Sequence, residues 1–336
     1  MVIGAIVIIG AVKEQAIPTA YEIGPQHVVV EGALGCVEIM GRSVVERMIE
    51  RFLAAEVEVV SVLVDARVAL PSFCRFSDKV TTHVVDDMGS ALSQTLREYS
   101  EQGIGFAFVA QANVYAECAL IDWIWFHRGT HQAITRACDR SGVLDFWVVD
   151  CAKREEEDIP LLLDDNARFD GPSYFIKGYV NRVTTPSDVR RLVTDVFLGR
   201  CEMRPSGKEI RPGVWVEAGA HIHRRARIVA PVYVGRGTQV REDTLITRCS
   251  NLESSCCIDY GTVIEDSSIL TNSYIGIWLD VSHAVVNGNK LANVRRNVVL
   301  KIPDPSVIRQ KLAVAKRAVR DFNAPESGRF LFGSLD

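Results

Sequence analysis

The sequence lacks the cysteine spacing of a metal site or a disulfide framework. Nine cysteines are scattered over 336 residues, no two of them form a C-x-x-C pair, and their number is odd. Zinc sites and thioredoxin-like redox sites use such pairs, whereas a framework of disulfides uses an even number of cysteines. The pattern therefore predicts free cysteines that pack as small apolar side chains in a reducing compartment.

Two further absences narrow the class of protein. No stretch has the roughly 18 uninterrupted apolar residues that a membrane helix needs, and the apolar run over 1–10 lacks the basic flank and cleavage site of a signal peptide. The formal net charge is −4, so bulk positive charge does not favour binding to a nucleic-acid polymer. A hydrophobic content of 48% is enough for a large buried core and argues against disorder. We expect a cytoplasmic globular protein that has no membrane partner.

The first half of the chain alternates between strand-like and helical stretches. The run over 2–9 is continuously apolar, as in a strand that is buried on both faces. Strands separated by helices favour parallel pairing, with helices on both faces of one sheet. The pattern predicts an α/β domain over 1–205. Its predicted strands are 2–9, 57–64, 105–110, 133–137 and 143–149, and its predicted helices are 42–56, 90–102, 116–128 and 187–198.

The second half follows a different period. From Val216 onward, every sixth residue is aliphatic for ten steps, and the residue four positions later is small or β-branched in nine of the ten hexads. With a chance of about one in four at each position, ten aliphatic residues in succession have odds on the order of one in a million. An α-helix repeats near 3.6 residues and an extended strand repeats at two, so neither explains the pattern. The ten residues are Val216, Ile222, Ile228, Val234, Val240, Ile246, Leu252, Ile258, Ile264 and Leu270.

A period of six is typical of a solenoid whose short strands form the flat sides of a triangular coil. Three hexads, or about 18 residues, make one coil, in which the aliphatic residue points inward and the small residue lies near a corner. The sequence therefore predicts a β-helix over 206–302, with an irregular β-sandwich as the alternative. After a shift of one residue, Ile269, Ile275 and Val281 continue the six-residue step.

The pattern changes after these coils. The segment 287–290 reads as a turn, 298–302 is predicted to add a last strand, and the prolines of 303–305 interrupt the repeat. The stretch 306–322 carries apolar residues on one helical face and Lys and Arg on the other, which predicts an amphipathic basic helix. We expect this helix, within a C-terminal segment 303–336, to cap the open edge of the last coil, with membrane-surface binding as the alternative.

Four segments of the first half carry a resemblance to a known family. They are 37–47, 88–92, 120–128 and 184–188. In order and spacing they resemble, respectively, the lysine-containing segment before a helix, the nucleotide loop, the helix after the metal-binding strand and the glycine-threonine-proline turn of the sugar-nucleotide pyrophosphorylases. Together with the hexads, the resemblance covers nearly the whole chain. It implies a Rossmann-like nucleotidyltransferase domain followed by a left-handed parallel β-helix of hexapeptide repeats.

The resemblance also implies an activity and a ligand. The family joins a sugar 1-phosphate to a nucleoside triphosphate and releases pyrophosphate, with Mg²⁺ as its cofactor, so it implies a sugar-phosphate nucleotidyltransferase that binds a nucleotide or nucleotide sugar. It assigns no catalytic residue and no metal ligand on this chain. The substrate-binding residues that it implies are Gly10, Lys13, Gly89, Asn113 and Lys177.

The chain departs from the family pattern at four chemical positions. The phosphate-binding cradle keeps a single glycine, Gly10, and the basic residue that precedes the 37–47 segment falls near Leu34. The two metal-binding aspartates fall near 111–112 and near Arg182. Without those carboxylates, a Mg²⁺-bound triphosphate lacks its ligands. We therefore expect a catalytically weakened or regulatory homologue.

Two alternatives to nucleotide transfer remain open from the sequence. Hexapeptide-repeat acyltransferases use a histidine at a coil edge as a general base, and His221, His223 and His283 lie in or near the hexads. His221 and His223 flank the inward Ile222, so both are expected to project outward, where solvated surface histidines are the simpler interpretation. The other alternative is a non-catalytic scaffold subunit. A homo-oligomer is the expected assembly by symmetry.

Overall fold

The computed structural model describes residues 2–10, 34–68, 79–163 and 169–311, with the backbone alone at Leu34. Over these residues the chain is a mixed α/β structure with several parallel sheets and few helices. The predicted ligand Lys13 and the stretch 312–322 of the predicted C-terminal helix lie outside the described residues. No helix in these ranges is both long enough and apolar enough to span a membrane.

The first half contains five α-helices and eleven strands among the described residues. The helices are α1 (Val44–Ala54), α2 (Met88–Glu101), α3 (Leu120–Thr130), α4 (Ile159–Leu163) and α5 (Pro186–Phe197). The strands are β1 (Ile3–Ile9), β2 (Glu38–Ile39), β3 (Arg42–Ser43), β4 (Val59–Asp65), β5 (Val80–Val85), β6 (Phe106–Gln111), β7 (Val114–Ala116), β8 (Ile134–Asp139), β9 (Gly142–Asp150), β10 (Ser173–Phe175) and β11 (Val180–Arg182).

Seven of these strands form one sheet in the order β10-β8-β9-β6-β1-β4-β5. Strand β1 lies between β4 and β6 and pairs in parallel with both. The expectation of parallel pairing is wrong for β9, which runs antiparallel to β6 and β8. The physical reason is the short connection: Asp139 pairs with Gly142, and a connection of this length has no room for the crossover that a parallel pair needs.

Helices cover both faces of this sheet. The α1 and α3 residues Phe52 and Trp123 share one apolar cluster with Val7, whereas the α2 and α4 residues Leu96 and Leu162 pack on the opposite face. Every residue of β1 is buried, which confirms the prediction of a strand buried on both faces.

Local signals decide where two of the helices begin. Helix α1 begins at Val44 rather than at residue 42, because the Ser43 hydroxyl accepts a hydrogen bond from the Glu46 amide in a complete capping box. The prediction of a helix from residue 116 is wrong at its start. Residues 114–116 form β7, which pairs antiparallel with β11, so helix α3 begins at Leu120.

The second half passes through three sheets in rotation. Its strands are β12 (Lys208–Arg211), β13 (Val214–Val216), β14 (His221–Ile222), β15 (Arg227–Ile228), β16 (Val232–Val234), β17 (Gln239–Val240), β18 (Leu245–Thr247), β19 (Ser250–Leu252), β20 (Cys257–Ile258), β21 (Val263–Glu265), β22 (Ser268–Ile269), β23 (Ser273–Ile275), β24 (Asp280–Ser282), β25 (Ala284–Asn287), β26 (Lys290–Asn293), β27 (Val298–Lys301) and β28 (Ile308–Gln310). From β13 to β22, each strand pairs in parallel with the strand three places later. The first such pair joins Val214 to Val232, 18 residues on.

The aliphatic residues of the hexads fill the space between the three sheets. Val234, Val240 and Ile246 are at most 2% exposed and belong to one apolar cluster, as predicted. The prediction is wrong for Leu270, which packs outward against the first half while Ile269 takes the inward position. The reason is a shorter coil: Asn251 pairs with Ser268, which is 17 rather than 18 residues on.

The end of the described chain differs from the sequence-based expectation. The predicted turn at 287–290 joins β25 to β26, and the predicted last strand is β27. The predicted helix from residue 306 is wrong over the residues that are described, because Ile308–Gln310 forms β28, antiparallel to β23. Ile308 is 2% exposed within the apolar cluster of the coils, so this strand completes the last layer of their core.

Candidate functional site

The topology of the first sheet reverses its strand order at β1. From β1 the chain moves to β4 on one side and later returns to β6 on the other. Because β1, β4 and β6 are parallel, their carboxyl ends meet at the same edge. Ligands of open α/β sheets bind at such a reversal of strand order, outside the carboxyl ends of the strands. Gly10 follows β1 and Gln111 ends β6 at this edge.

Two of the predicted substrate-binding residues lie at this edge. Ile8 pairs with Gln111 and the Ala112 amide donates to the Ile8 carbonyl at 2.9 Å, so Gly10 and Asn113 follow the paired ends of β1 and β6 by one and two residues. The Asn113 carbonyl accepts a hydrogen bond from the Val183 amide at 2.8 Å. Its side-chain Oδ1 is buried and has no hydrogen-bond partner within the described ranges. An unsatisfied buried acceptor costs about 1–3 kcal/mol, and an N–H or O–H group of a ligand removes that cost.

A close backbone contact lies at the same edge of the sheet. The short 3-10 helix Leu34–Cys36 packs on Ala112, where a Cβ atom on Gly35 would lie 2.0 Å from the Ala112 carbonyl oxygen. Only glycine fits this approach. The position that the family gives to a basic residue, near Leu34, therefore lies at the same edge but carries an aliphatic residue.

Lys177 is not brought to this point. The ribbon of β7 and β11 pairs Arg182 with Val114, beside Asn113, and its other end pairs Val180 with Ala116. Lys177 lies three residues beyond that other end and is exposed. The Ile176 amide donates to the Cys138 carbonyl, so Lys177 lies just beyond the end of β10, which is three strands from β6 and therefore about 14 Å away.

Gly89 lies at the same sheet edge but farther along it. It is in the first turn of α2, after β5, which is two strands from β1 and therefore about 10 Å away. Its amide already donates to Asp87 Oδ1 at 3.0 Å. Hydrogen bonds from the Ser90 hydroxyl and from the Gly89 amide hold the pKa of Asp87 below its ordinary value. The carboxylate thus occupies the positive end of the helix, where a ligand phosphate would otherwise be attracted.

Near the position where the resemblance implies the second metal-binding aspartate, the chain has an arginine, Arg182. The Arg182 guanidinium donates to both carboxylate oxygens of Asp139, at 2.8 and 3.1 Å, and to the carbonyl oxygens of Gly142 and Val143. Burial raises the pKa of Asp139, but the hydrogen bonds from Arg182 and Ser141 outweigh that effect and leave the pKa below its ordinary value. This ion pair ties the β7–β11 ribbon to the β8–β9 connection.

The donor set at this edge does not fit Mg²⁺. Within the described ranges, no three His, Cys, Asp or Glu side chains gather closely enough to hold a metal ion. At the two positions where the resemblance implies carboxylates, the chain has the Gln111–Ala112 pair and the Arg182 guanidinium. A guanidinium has no lone pair to offer and carries a positive charge, so it disfavours a bound cation.

One carboxylate at this edge was missed from the sequence. Asp65 ends β4 and is 8% exposed. Its Oδ2 accepts a hydrogen bond from Arg67 Nη2 at 2.6 Å, so its charge is paired within the same turn. The available signal was an aspartate directly after a buried strand that is parallel to β1.

The three histidines of the second half occupy two different environments. His221 and His223 are exposed on the coils, as predicted. His283 Nδ1 instead lies 2.6 Å from Asp266 Oδ2, and Asp266 also accepts a hydrogen bond from Arg190 of α5 at 2.7 Å. His283 thus belongs to a polar network between the two halves.

Comparisons with known proteins add no family to this geometry. No family model matches the chain, and no curated protein matches it. The functional assignment therefore depends on the residues at the carboxyl edge of the first sheet.

Proposed function

We propose that this chain is a sugar-phosphate nucleotidyltransferase-like protein that binds a nucleotide or nucleotide sugar at the carboxyl edge of β1 and β6. The single observation that carries the proposal is the position of Gly10 and Asn113 just beyond the paired ends of β1 and β6, at the reversal of strand order, with Asn113 Oδ1 buried and unpaired among the described residues. A glycine after the first strand lets a phosphate approach the backbone closely, and an amide oxygen can accept a hydrogen bond from a base or a sugar.

We infer the finer architecture from the same resemblance. The sheet order around β1 supports a Rossmann-like nucleotidyltransferase domain over 1–205. The 18-residue register and the buried aliphatic residues support a parallel β-helix of hexapeptide repeats over 206–302, and its left-handedness is implied by the family. No disulfide joins any two of the eight described cysteines, which supports a reducing, cytoplasmic location.

We propose a binding or regulatory role rather than efficient catalysis. Nucleotidyl transfer concentrates negative charge between a nucleophile and a leaving pyrophosphate, and the family compensates it with Mg²⁺ held by carboxylates. Arg182, paired with Asp139, and the neutral Gln111 supply no such ligands. The chain's own residues therefore support ligand recognition, while the step that needs the metal lacks its donors.

Thermal stability with a panel of ligands tests this proposal. A ligand that binds only the folded state raises Tm, and saturation at 100 times Kd adds about 2.7 kcal/mol to the free energy of unfolding. We expect a shift with at least one nucleoside triphosphate or nucleotide sugar, and we expect Asn113→Ala to lose most of it. Gln132→Ala, at an exposed position, is the matched control and should keep the shift.

Two readouts separate the alternatives. A pyrophosphate-release assay with Mg²⁺ should stay near background, and robust release would contradict the regulatory role. A shift with acetyl-CoA that is abolished by His221→Ala or His223→Ala, without any nucleotide shift, would favour the acyltransferase. If no ligand of any class raises Tm, the scaffold alternative replaces the proposal.

A further inference from the structure

Helix α3 is apolar on both of its faces. Leu120, Trp123 and Ile124 are buried against the sheet. On the opposite face, Ile121 is 43% and Trp125 is 59% exposed. A helix that is apolar all round is normally buried all round, because water disfavours a second apolar face. The outer face of α3 therefore lacks a covering partner within the described structure.

This exposed surface continues from the helix onto the edge of the sheet. Phe126 is 37% exposed, and its ring centroid lies 5.5 Å from that of Tyr174 on β10. Strand β10 is the last strand on this side of the sheet. We define the outer α3 patch as the exposed apolar side chains of α3 together with Tyr174. Its members are Ile121, Trp125, Phe126 and Tyr174.

Two unlike charges flank the centre of the patch symmetrically. Asp122 lies three residues before Trp125, and Arg128 lies three residues after it. Both are exposed, and neither forms a salt bridge with another residue of the described ranges. The Arg128 guanidinium lies over the Trp125 ring at 4.9 Å from its centroid. The two charges are therefore available to a partner at the same spacing from Trp125.

We propose that the outer α3 patch is the contact between two copies of this chain, related by a two-fold axis that passes beside Trp125. With the two helices antiparallel, Asp122 of each copy lies level with Arg128 of the other. Ile121 lies level with Gly129, where an added Cβ would meet nothing within 4 Å, so there is room for the apolar side chain.

The symmetric placement of Asp122 and Arg128 about Trp125 favours a second copy of this chain as the partner. A two-fold contact is isologous, so that if residue i faces j, then j faces i. An acid and a base equally spaced about one exposed tryptophan satisfy this condition without any other protein. Tryptophan and arginine are also the residue types that most often dominate interface energetics.

Charge reversal tests this contact in the full-length chain. Asp122→Arg places only positive charges across the two-fold axis, and Arg128→Asp places only negative ones. We expect the wild type to sediment as a dimer or an even-numbered assembly. Each variant alone should weaken its self-association about tenfold or more, since like charges meet twice in each dimer. Asp86→Arg, an exposed reversal beyond the opposite edge of the sheet, is the matched control and should keep the wild-type mass.

Mixing the two variants makes the test independent of folding. In a mixed pair, the arginine introduced by Asp122→Arg in one copy faces the aspartate introduced by Arg128→Asp in the other. The unchanged Arg128 of the first copy faces the unchanged Asp122 of the second, so both contacts are attractive. An equal mixture should therefore regain the wild-type mass, which a folding defect in either variant would not allow.

Three outcomes of these measurements would overturn the proposal. A monomeric wild type at every protein concentration would do so, and it would leave the patch to a different protein. An unchanged mass in both single variants would show that the two charges do not meet across the axis. A mixture of the variants that stays dissociated would show that their pairing is not the one described.

Discussion

Gly35 packs closely on the Ala112 backbone at the same edge of the sheet as the candidate site. Its amino acid type matters through the missing Cβ, which would lie 2.0 Å from a carbonyl oxygen that cannot rotate away. Asn113 follows Ala112 directly, two residues beyond the end of β6. At the scale of single residues, the site thus combines the close packing of Gly35 with the unpaired acceptor Asn113 Oδ1.

The close packing of Gly35 predicts that a larger residue at this position lowers stability. We expect Gly35→Ala to lower the free energy of unfolding by about 1–3 kcal/mol, because the added methyl group must displace backbone atoms. Urea denaturation measures this change through the transition midpoint. Gly105→Ala is the matched control, since its Cβ would meet no atom closer than 4.0 Å. Equal midpoints for the two variants would show that the backbone here is more plastic than this contact indicates.

At the scale of elements, the β2–β3 hairpin joins the two halves through a buried carboxylate. Glu253 is fully buried, and its oxygens accept hydrogen bonds from the Met40 and Gly41 amides at 2.9 and 3.0 Å. The Asn251 side-chain amide donates to it at 2.6 Å. Burial, followed by the nearby charge of Glu38, raises the pKa of Glu253 to about 8. The β2–β3 hairpin is therefore held by a carboxyl group whose ionisation is disfavoured by burial.

This carboxylate predicts a pH-dependent stability. In the unfolded chain its pKa is near 4.5, so between about pH 4.5 and 8 the folded state binds more protons than the unfolded state. Stability contributed by protonated Glu253 is therefore present at low pH and falls as the pH rises through this window. We expect Glu253→Gln to flatten the dependence of unfolding free energy on pH between 5 and 8, relative to wild type and to the exposed control Glu101→Gln. Parallel curves for all three proteins would contradict the burial effect.

At the scale of the whole molecule, helix α5 connects the first half to the coils. Arg190 is 6% exposed, and its guanidinium donates to Asn251, Ser268, Asp266 and the Cys249 carbonyl. These four acceptors come from two successive coils, so a single side chain spans them. The apolar side of the same helix packs with outward-facing residues of the coils. The two halves therefore share one continuous interface rather than a loose linker.

The contacts of Arg190 between the two halves predict that its loss destabilises the folded protein. We expect Arg190→Met to lower the free energy of unfolding by about 1–3 kcal/mol, because it leaves the buried Asn251 and Ser268 side chains and the Cys249 carbonyl without their donor. Differential scanning calorimetry measures the loss in Tm and reveals any separation of the single transition into two. Arg191→Met, at a half-exposed neighbouring position, is the matched control and should change Tm little. A similar Tm for both variants would mean that Arg190 does not hold the halves together.

The amino-acid sequence by itself determined the features that depend on local periodicity. The six-residue spacing of aliphatic residues, from Val216 through Ile264, indicated the coils because an inward side chain must recur once per flat side. The uninterrupted apolar run over 2–9 indicated a strand buried on both faces. These signals are strong because the apolar character of a residue indicates that it is buried, whichever residues it packs against.

Only the tertiary structure decided how distant segments meet. It made β9 antiparallel, turned Ile308–Gln310 into a strand on β23, and placed Lys177 away from Asn113. It also brought Arg190 to Asp266, 76 residues later in the chain. The physical reason is that periodicity records which face of a segment is buried, whereas pairing depends on chain reversals and on polar contacts between residues far apart in sequence.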